Sequence, residues 1–359
     1  MFRRSKLVAP AVTLLAVLAG PAAAMAHSGG ALYTQTNDPA GNVVQRFDRA
    51  ADGRLTPAGS SATGGVGLGT LGGRQGAVEL SDSERTVYAV NAGSDSVTTF
   101  RVSHGGLARR AIVPSGGVAP TSVDEQDGRV YVLNSGGTPN VTAFVAGRHG
   151  SLYRIGSRDL PGALGAAQVS VSPDGHHLVV SERLSNRLET IAIDRFGRLG
   201  APVITASSGT VPFGFAFGRG DQIVVSEAGA STVSSYRVGN GLETITASLA
   251  VGQGAACWVA VSPDGRLAYT GNASGSISGF AVARNGSLTA LNTDGLTAAV
   301  VPSPRDLDFT RDGRYLYAVS PGNATAPAQV TGYRVASNGA LTQITSAPAL
   351  AGITGAAGA

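Results

Sequence analysis

Residues 260–280 read AVSPDGRLAYTGNASGSISGF. One apolar run ends in Ser-Pro-Asp-Gly, a second ends in Gly-Asn, and a third starts after a short polar elbow. Asp-Gly between alternating apolar residues signals a tight hairpin, because Gly accepts the positive φ such a turn needs. The stretch therefore predicts consecutive antiparallel strands, and close variants elsewhere in the chain would make it a repeated unit.

Seven such units are present. Their second strands read ALYTQT, TVYAVN, RVYVLN, HLVVSE, QIVVSE, LAYTGN and YLYAVS, anchored on Tyr33, Tyr88, Tyr131, Val179, Val224, Tyr269 and Tyr317. The next strand carries a large apolar column, Phe47, Phe100, Phe144, Ile191, Tyr236, Phe280 and Tyr333. A Gly-bearing turn and a short outer strand follow each time, and the anchors lie 43 to 55 residues apart. Four antiparallel strands at this period predict an all-β fold, a seven-bladed β-propeller of four-stranded antiparallel blades. A β-sandwich would not repeat its internal pattern seven times. The first unit lacks an inner strand, and GITGAAGA (352–359) resembles the inner strand beginning GALGAAQVSVS. A C-terminal strand completing the first blade would remove an open sheet edge.

The N-terminus is set apart from this pattern. Arg3, Arg4 and Lys6 precede a mostly apolar stretch from Leu7 to Ala19, and Ala24-Met25-Ala26 offers small residues for cleavage. Residues 1–26 read as a secretory signal cleaved near Ala26, leaving 27–359 as one propeller domain in a secreted or extracytoplasmic location. No later stretch is apolar enough to span a membrane. Three of the 27 basic residues lie in the leader and none of the 23 acidic ones, so the remainder is close to neutral at +1. No basic cluster is visible along the sequence, and nucleic-acid binding is not expected. Lys6 is the sole lysine, which excludes a Schiff-base lysine from the propeller; Cys257 is the sole cysteine, which excludes a disulfide framework. A monomer is expected.

The combination SPDGRLAYTGN, ISGFAV and NGSLT resembles the lactonase-type seven-bladed propeller family, which includes bacterial 6-phosphogluconolactonases and fungal carboxymuconate cycloisomerases. VYAVNAGSDSVTTF is similar to the repeat of exported surface-layer propellers. The first resemblance spans residues 31–359 and implies lactone chemistry at the channel mouth, where the enzymes place His and Arg at inner-strand starts. Here SPRDLDF keeps Arg305 but has Asp306 where His would fall, and Gln168 and Gly214 occupy the corresponding places in LGAAQVSVS and PFGFAFG. No inner strand contains a histidine.

In a propeller, inner-strand starts and second-strand ends share one face of the disc, so the candidate site lies there. Asp306 is the candidate base and Arg305 the clamp on a carbonyl or carboxylate, the two groups that opening a lactone requires. Gln168, Glu182 and Glu227 are candidate orienting partners, and Arg74 and Trp258 candidate contacts. Asn91, Asn134 and Asn272 mark the same face at second-strand ends. Inner-strand carboxylates Glu79, Asp124 and Asp308 should lean into the channel, where Ca²⁺ would find oxygen ligands. No cofactor is required, and no metal-ligand motif is present. Two partners fit this reading: a small-molecule lactone, whose opening would make the protein a hydrolase, or an envelope or extracellular protein bound without catalysis.

Overall fold

The computed structural model describes residues 29–69 and 75–358. The signal-peptide reading and Arg74 lie outside the described residues. Seven antiparallel sheets form the ring, each ordered from an inner strand through a second and third to an outer one. The inner strands of blades 2 to 7 are Val78–Leu80, Val118–Gln126, Ala166–Val171, Pro212–Phe217, Ala256–Val261 and Asp306–Phe309. Blade 1 takes its inner strand, Ile353–Gly358, from the C-terminus, where it pairs antiparallel with Gly30–Thr36. The blade count and the shared first blade are as the repeat predicted. Among the described residues blade 6 alone departs from four strands, because Asn292–Thr297 interrupts its outer strand and Ala298–Ala299 pairs separately with the third strand. Among the described residues helix is confined to one 3-10 turn, Arg148–Gly150, and no helix is long and apolar enough to cross a membrane.

The two repeat columns become the packing between blades. Tyr33, Tyr131, Tyr269 and Tyr317 are at most 1% exposed, as are Phe47, Phe100 and Phe280. Each cluster of buried side chains draws on neighbouring blades; Tyr131, Leu133 and Val141 of blade 3 pack with Val169, Leu178 and Ile191 of blade 4. The tyrosine rings bury apolar surface and still find acceptors at their tips. Tyr269 donates to the Gly339 carbonyl at 2.8 Å and Tyr317 to the Gly53 carbonyl at 2.7 Å, each in the outer turn of the following blade. Gly53 sits at φ 85°, and a Cβ there would fall 2.4 Å from the Tyr315 ring, so only glycine fits that turn.

The Asp-Gly hairpins are built as predicted. In the opening stretch, Asp264 accepts from the Ser262 hydroxyl at 2.7 Å and the Arg266 amide at 3.0 Å, while Gly265 takes φ 62°. Asp264 therefore organises a turn on the face opposite the channel mouth.

Candidate functional site at the channel mouth

The inner strands enter the channel through a repeated irregularity. Register shifts follow Pro120, Ala166, Pro212 and Ala256 in blades 3 to 6. The residues preceding them, Ala119, Gly165, Val211 and Ala255, have φ between 53° and 67°. A bulge re-aims a side chain away from the sheet's alternation. Here Phe213 and Cys257 are turned towards the mouth, where they pack with Trp258 beneath Ala228, Ala255 and Ala273.

Consecutive blades contribute one arc. Arg183 (blade 4) lies 5.1 Å from the Phe213 ring (blade 5), which meets Trp258 (blade 6) edge-on at 5.9 Å. Arg305 (blade 7) lies 5.3 Å from Trp258. Both guanidiniums are half-buried, and burial lowers their proton affinity below the usual arginine range. Neither pairs with a carboxylate among the described residues: Arg183 reaches the Gly165 carbonyl at 3.4 Å and Arg305 the Pro304 carbonyl at 3.1 Å. The Trp258 indole N–H is buried with no acceptor among the described residues. Burial raises the Cys257 thiol to about 11, although Arg305 and Arg183 pull it the other way, so the thiol stays protonated near neutrality. The mouth is thus lined by donors and cations, the complement of an acceptor-rich or anionic ligand.

Below the mouth the lining changes sign. A cavity of about 230 Å³ is lined by Glu79, Asp124, Asp306 and Asp308, together with Gln75 and Gln168. These side chains lean inward as the alternation predicted, but most reach sideways to the next strand. Asp124 accepts from the Ser170 hydroxyl and the Val171 amide, each at 2.7 Å. Gln168 accepts from the Phe215 amide at 2.8 Å and donates to its carbonyl at 2.9 Å. Asp306 accepts from the Leu307 amide at 2.8 Å and the Ala356 amide at 2.9 Å. Burial and the Asp308 charge push its carboxyl well above the usual range, although these amide bonds oppose the shift. Burial also raises Asp308 to about 7, and burial followed by Asp124 and Asp308 raises Glu79 strongly. Among the described residues no three His, Cys, Asp or Glu side chains gather closely enough to hold a metal ion.

Gln75 separates the two zones. It lies ahead of the blade 2 inner strand, yet donates to the Val259 carbonyl at 2.6 Å and accepts from the Val259 amide at 3.1 Å on blade 6. A Cβ on Gly214 would lie 2.1 Å from its Oε1, so the missing side chain of blade 5 makes room for this crossing.

Several expected positions are corrected by this geometry. Asp306 lines the channel but is 1% exposed, with its carboxylate engaged by backbone amides, so it is not presented beside Arg305 as a free base. Gln168 clasps blade 5 in the same way. The second-strand ends do not converge on the mouth: Asn91, Asn134, Glu182, Glu227 and Asn272 are all fully buried. They turn towards the start of the third strand, where loop hydroxyls and amides need partners. Asn272 donates to Ser276 and Ser278 at 3.0 and 2.8 Å, and Glu227 accepts from the Gly209 amide and Ser234, both at 2.7 Å. Asn91 donates to Thr98 at 2.9 Å, Asn134 to the Ser115 carbonyl at 3.3 Å, and Glu182 accepts from Arg187 at 2.7 Å. Arg305 and Trp258 do stand at the mouth. Arg183, Phe213 and Gln75 were missed. Arg183 had a visible signal, since it is the one charged residue in a column otherwise filled by Asn37, Ala92, Ser135, Ala228, Ala273 and Pro321.

The model of the family described as lactonase, seven-bladed β-propeller, matches residues 150–257, under a third of the chain. That segment holds Arg183, Phe213 and Cys257. Among solved structures, the periplasmic gluconolactonase of Pseudomonas aeruginosa is 18% identical, with a TM-score of 0.72 over 92% of this chain and 98% of that one. A Bacteroides fragilis protein provisionally designated a 6-phosphogluconolactonase is also 18% identical, with a TM-score of 0.75 over 94% and 99%. A Lactobacillus plantarum protein is 15% identical, with a TM-score of 0.74 over 92% and 99%. At these identities the likeness is one of fold. Comparison with curated proteins gives no significant sequence match.

Proposed function

We propose, for a chain that carries the lactonase seven-bladed propeller family's signature over residues 150–257, that the mouth binds a small lactone and promotes its opening. The supporting observation is the arc Arg183–Phe213–Trp258–Arg305, in which two guanidiniums without carboxylate partners flank an aromatic floor. A lactone carbonyl set against these donors is polarised, and the oxyanion formed on attack is stabilised by groups already in place. Hydroxide adds to the carbonyl carbon, the ring C–O bond breaks, and the leaving alkoxide takes a proton from water to give the hydroxy acid. Among the described residues the arc includes no histidine and no unengaged carboxylate, so the rate should rise tenfold for each step of one in pH, without a base-dependent plateau.

The leader-like N-terminus supports placement outside the cytoplasm. There an unphosphorylated sugar-acid or carboxylic-acid lactone is the better substrate class than a phosphorylated intracellular one. The same missing base favours a second reading, in which the ring-opened acid or an acidic segment of an envelope protein is bound without turnover.

Lactone opening across a panel of aldonolactones, followed from pH 6 to 8, tests the first reading together with calorimetric titration of the corresponding acids. Arg305→Ala and Arg183→Ala should each lower kcat/KM by about 10²-fold, the cost of removing one oxyanion donor. Rates equal to the buffer blank with acid binding retained would leave the binding reading. Neither turnover nor binding would overturn both.

A further inference from the structure

The near-neutral charge of the propeller hides a segregation that appears only in three dimensions. The blade period brings arginines from sequence-distant turns onto the outer rim of blades 2 to 4, on the face opposite the mouth. The stem of Arg110 (blade 2) packs against Gly150, whose carbonyl accepts from Thr99 at 2.6 Å, so Arg110 and Arg148 share one patch across the blade boundary. Gly147 lies under the Tyr153 ring, and Arg154 follows it. Ile155 touches Gly197 of blade 4, and Arg129 donates to the Arg195 carbonyl at 2.8 Å. Arg195 and Arg198 lie 4.4 and 5.3 Å from the Phe196 ring. Contacts therefore run without a break from Arg110 to Arg198.

None of these guanidiniums forms an ion pair among the described residues. The inner hairpin turns on this face carry Asp82, Asp127 and Asp174, and the outer rim carries Asp194, which accepts from the Phe196 and Arg198 amides at 2.8 and 2.9 Å. Elsewhere Arg54, Arg266 and Arg314 are neutralised locally by Asp52, Asp264 and Asp312, while the unpaired turn arginines Arg219 and Arg284 stand singly in blades 5 and 6. Two rings stand out of the unpaired rim, Tyr153 at 62% and Phe196 at 53% exposed. Rows of guanidiniums without ion-pair partners suit carboxylate, sulfate or phosphate groups, and exposed rings between them suit the apolar faces of sugars.

We propose that the outer rim of blades 2 to 4 binds an extended anionic polysaccharide. The rim is built from short hairpin turns whose strands are tied into the blades, and its one helical element is the three-residue 3-10 turn Arg148–Gly150, too short to lie along a duplex groove. Its length across three blades suits a chain of repeating charges more than a single small anion.

The test is retention of the purified protein on immobilised heparin and on polygalacturonate, with elution by NaCl, beside titrations at 100 mM salt. Wild type should bind both in a salt-sensitive manner. The triple variant Arg110→Ser, Arg148→Ser, Arg154→Ser should bind at least about tenfold more weakly, as expected when three charge contacts are lost. The control Arg54→Ser, Arg266→Ser, Arg314→Ser removes the same charge from paired positions and should bind as wild type. These positions are at the surface, and matching circular dichroism spectra verify the fold. Equal loss in both triple variants would reduce the effect to net charge and overturn the proposal. So would equal binding to neutral dextran, or tighter binding to single- or double-stranded DNA than to either glycan. Lactone turnover at the opposite face should not change in either triple variant, so this test and that of the mouth fail independently.

Discussion

At the scale of single residues, the buried corner of blade 4 carries a charge arrangement that makes stability depend on pH. Arg187 bridges two carboxylates, Glu182 at 2.7 Å and Glu189 at 2.9 Å, both fully buried. The remaining oxygens, Glu182 Oε1 and Glu189 Oε2, have no other partner among the described residues, which is what a proton shared between them would supply. Burial, and then Glu182, raises the Glu189 carboxyl to about 8. A carboxyl raised on folding gives stability that is complete below its ordinary value near 4.5 and is lost as the pH rises through about 8. Glu189→Gln carries a permanent N–H in place of that proton. It should match wild type near pH 5 and exceed it by roughly 2 kcal/mol at pH 9, since each tenfold change in proton affinity is worth about 1.4 kcal/mol and the pair shares the effect. Urea unfolding at pH 5, 7 and 9 decides this, and parallel profiles for the two proteins would exclude the shared proton.

At the scale of the elements, each inner strand pairs by backbone with the second strand of its own blade, and side chains tie it to the next blade around the channel. Gln168 joins blades 4 and 5, Asp124 joins 3 and 4, and Asp306 joins blade 7 to the closing strand through Ala356. Asp306→Ala should therefore lose about 2–4 kcal/mol, as expected when two buried amides lose their acceptor and a cavity is left. The first sign should be faster hydrogen exchange at Ala356 and its neighbours. Loss of lactone turnover with unchanged exchange and stability would instead restore Asp306 as the base. The strands themselves were legible from the aromatic columns and Asp-Gly turns, since these depend on local periodicity and turn chemistry. The channel roles were not. Alternation places Asp306 in the lumen but is blind to the Ala356 amide 50 residues away, and Gln75 meets Val259 across 184 residues. Phe213 and Cys257 reach the mouth through bulges that a strict two-residue period does not predict.

At the scale of the whole molecule, Gln75 stands between a cationic mouth and an acidic lumen. Above about pH 8, where Asp308 is ionised, replacing Gln75 by Gly should let that charge act on the mouth and weaken binding of an anionic ligand several-fold at low salt, with the difference shrinking as the Debye length falls below about 8 Å. Calorimetry of the ring-opened acid at 20 and 300 mM NaCl measures this; equal affinity for Gln75→Gly and wild type at both salts would show that the two zones do not communicate. The rim of blades 2 to 4 adds a third surface on the far side of the disc, which would leave the mouth open to solution while the molecule rests on a polymer. One last consequence follows from the shared first blade. Gly358 faces Leu32 in the register of that sheet, so the gap between Gly358 and Gly30 falls where the other blades have a hairpin turn. The break in the chain is therefore movable in principle: an Asp-Gly link from Gly358 to Gly30 would make blade 1 covalently continuous, and the new termini could be opened at any other hairpin on that face. A circular permutant of this kind would add a peptide link to blade 1, keep the Asp306 clasp on Ala356, and open the ring at a blade of the experimenter's choosing.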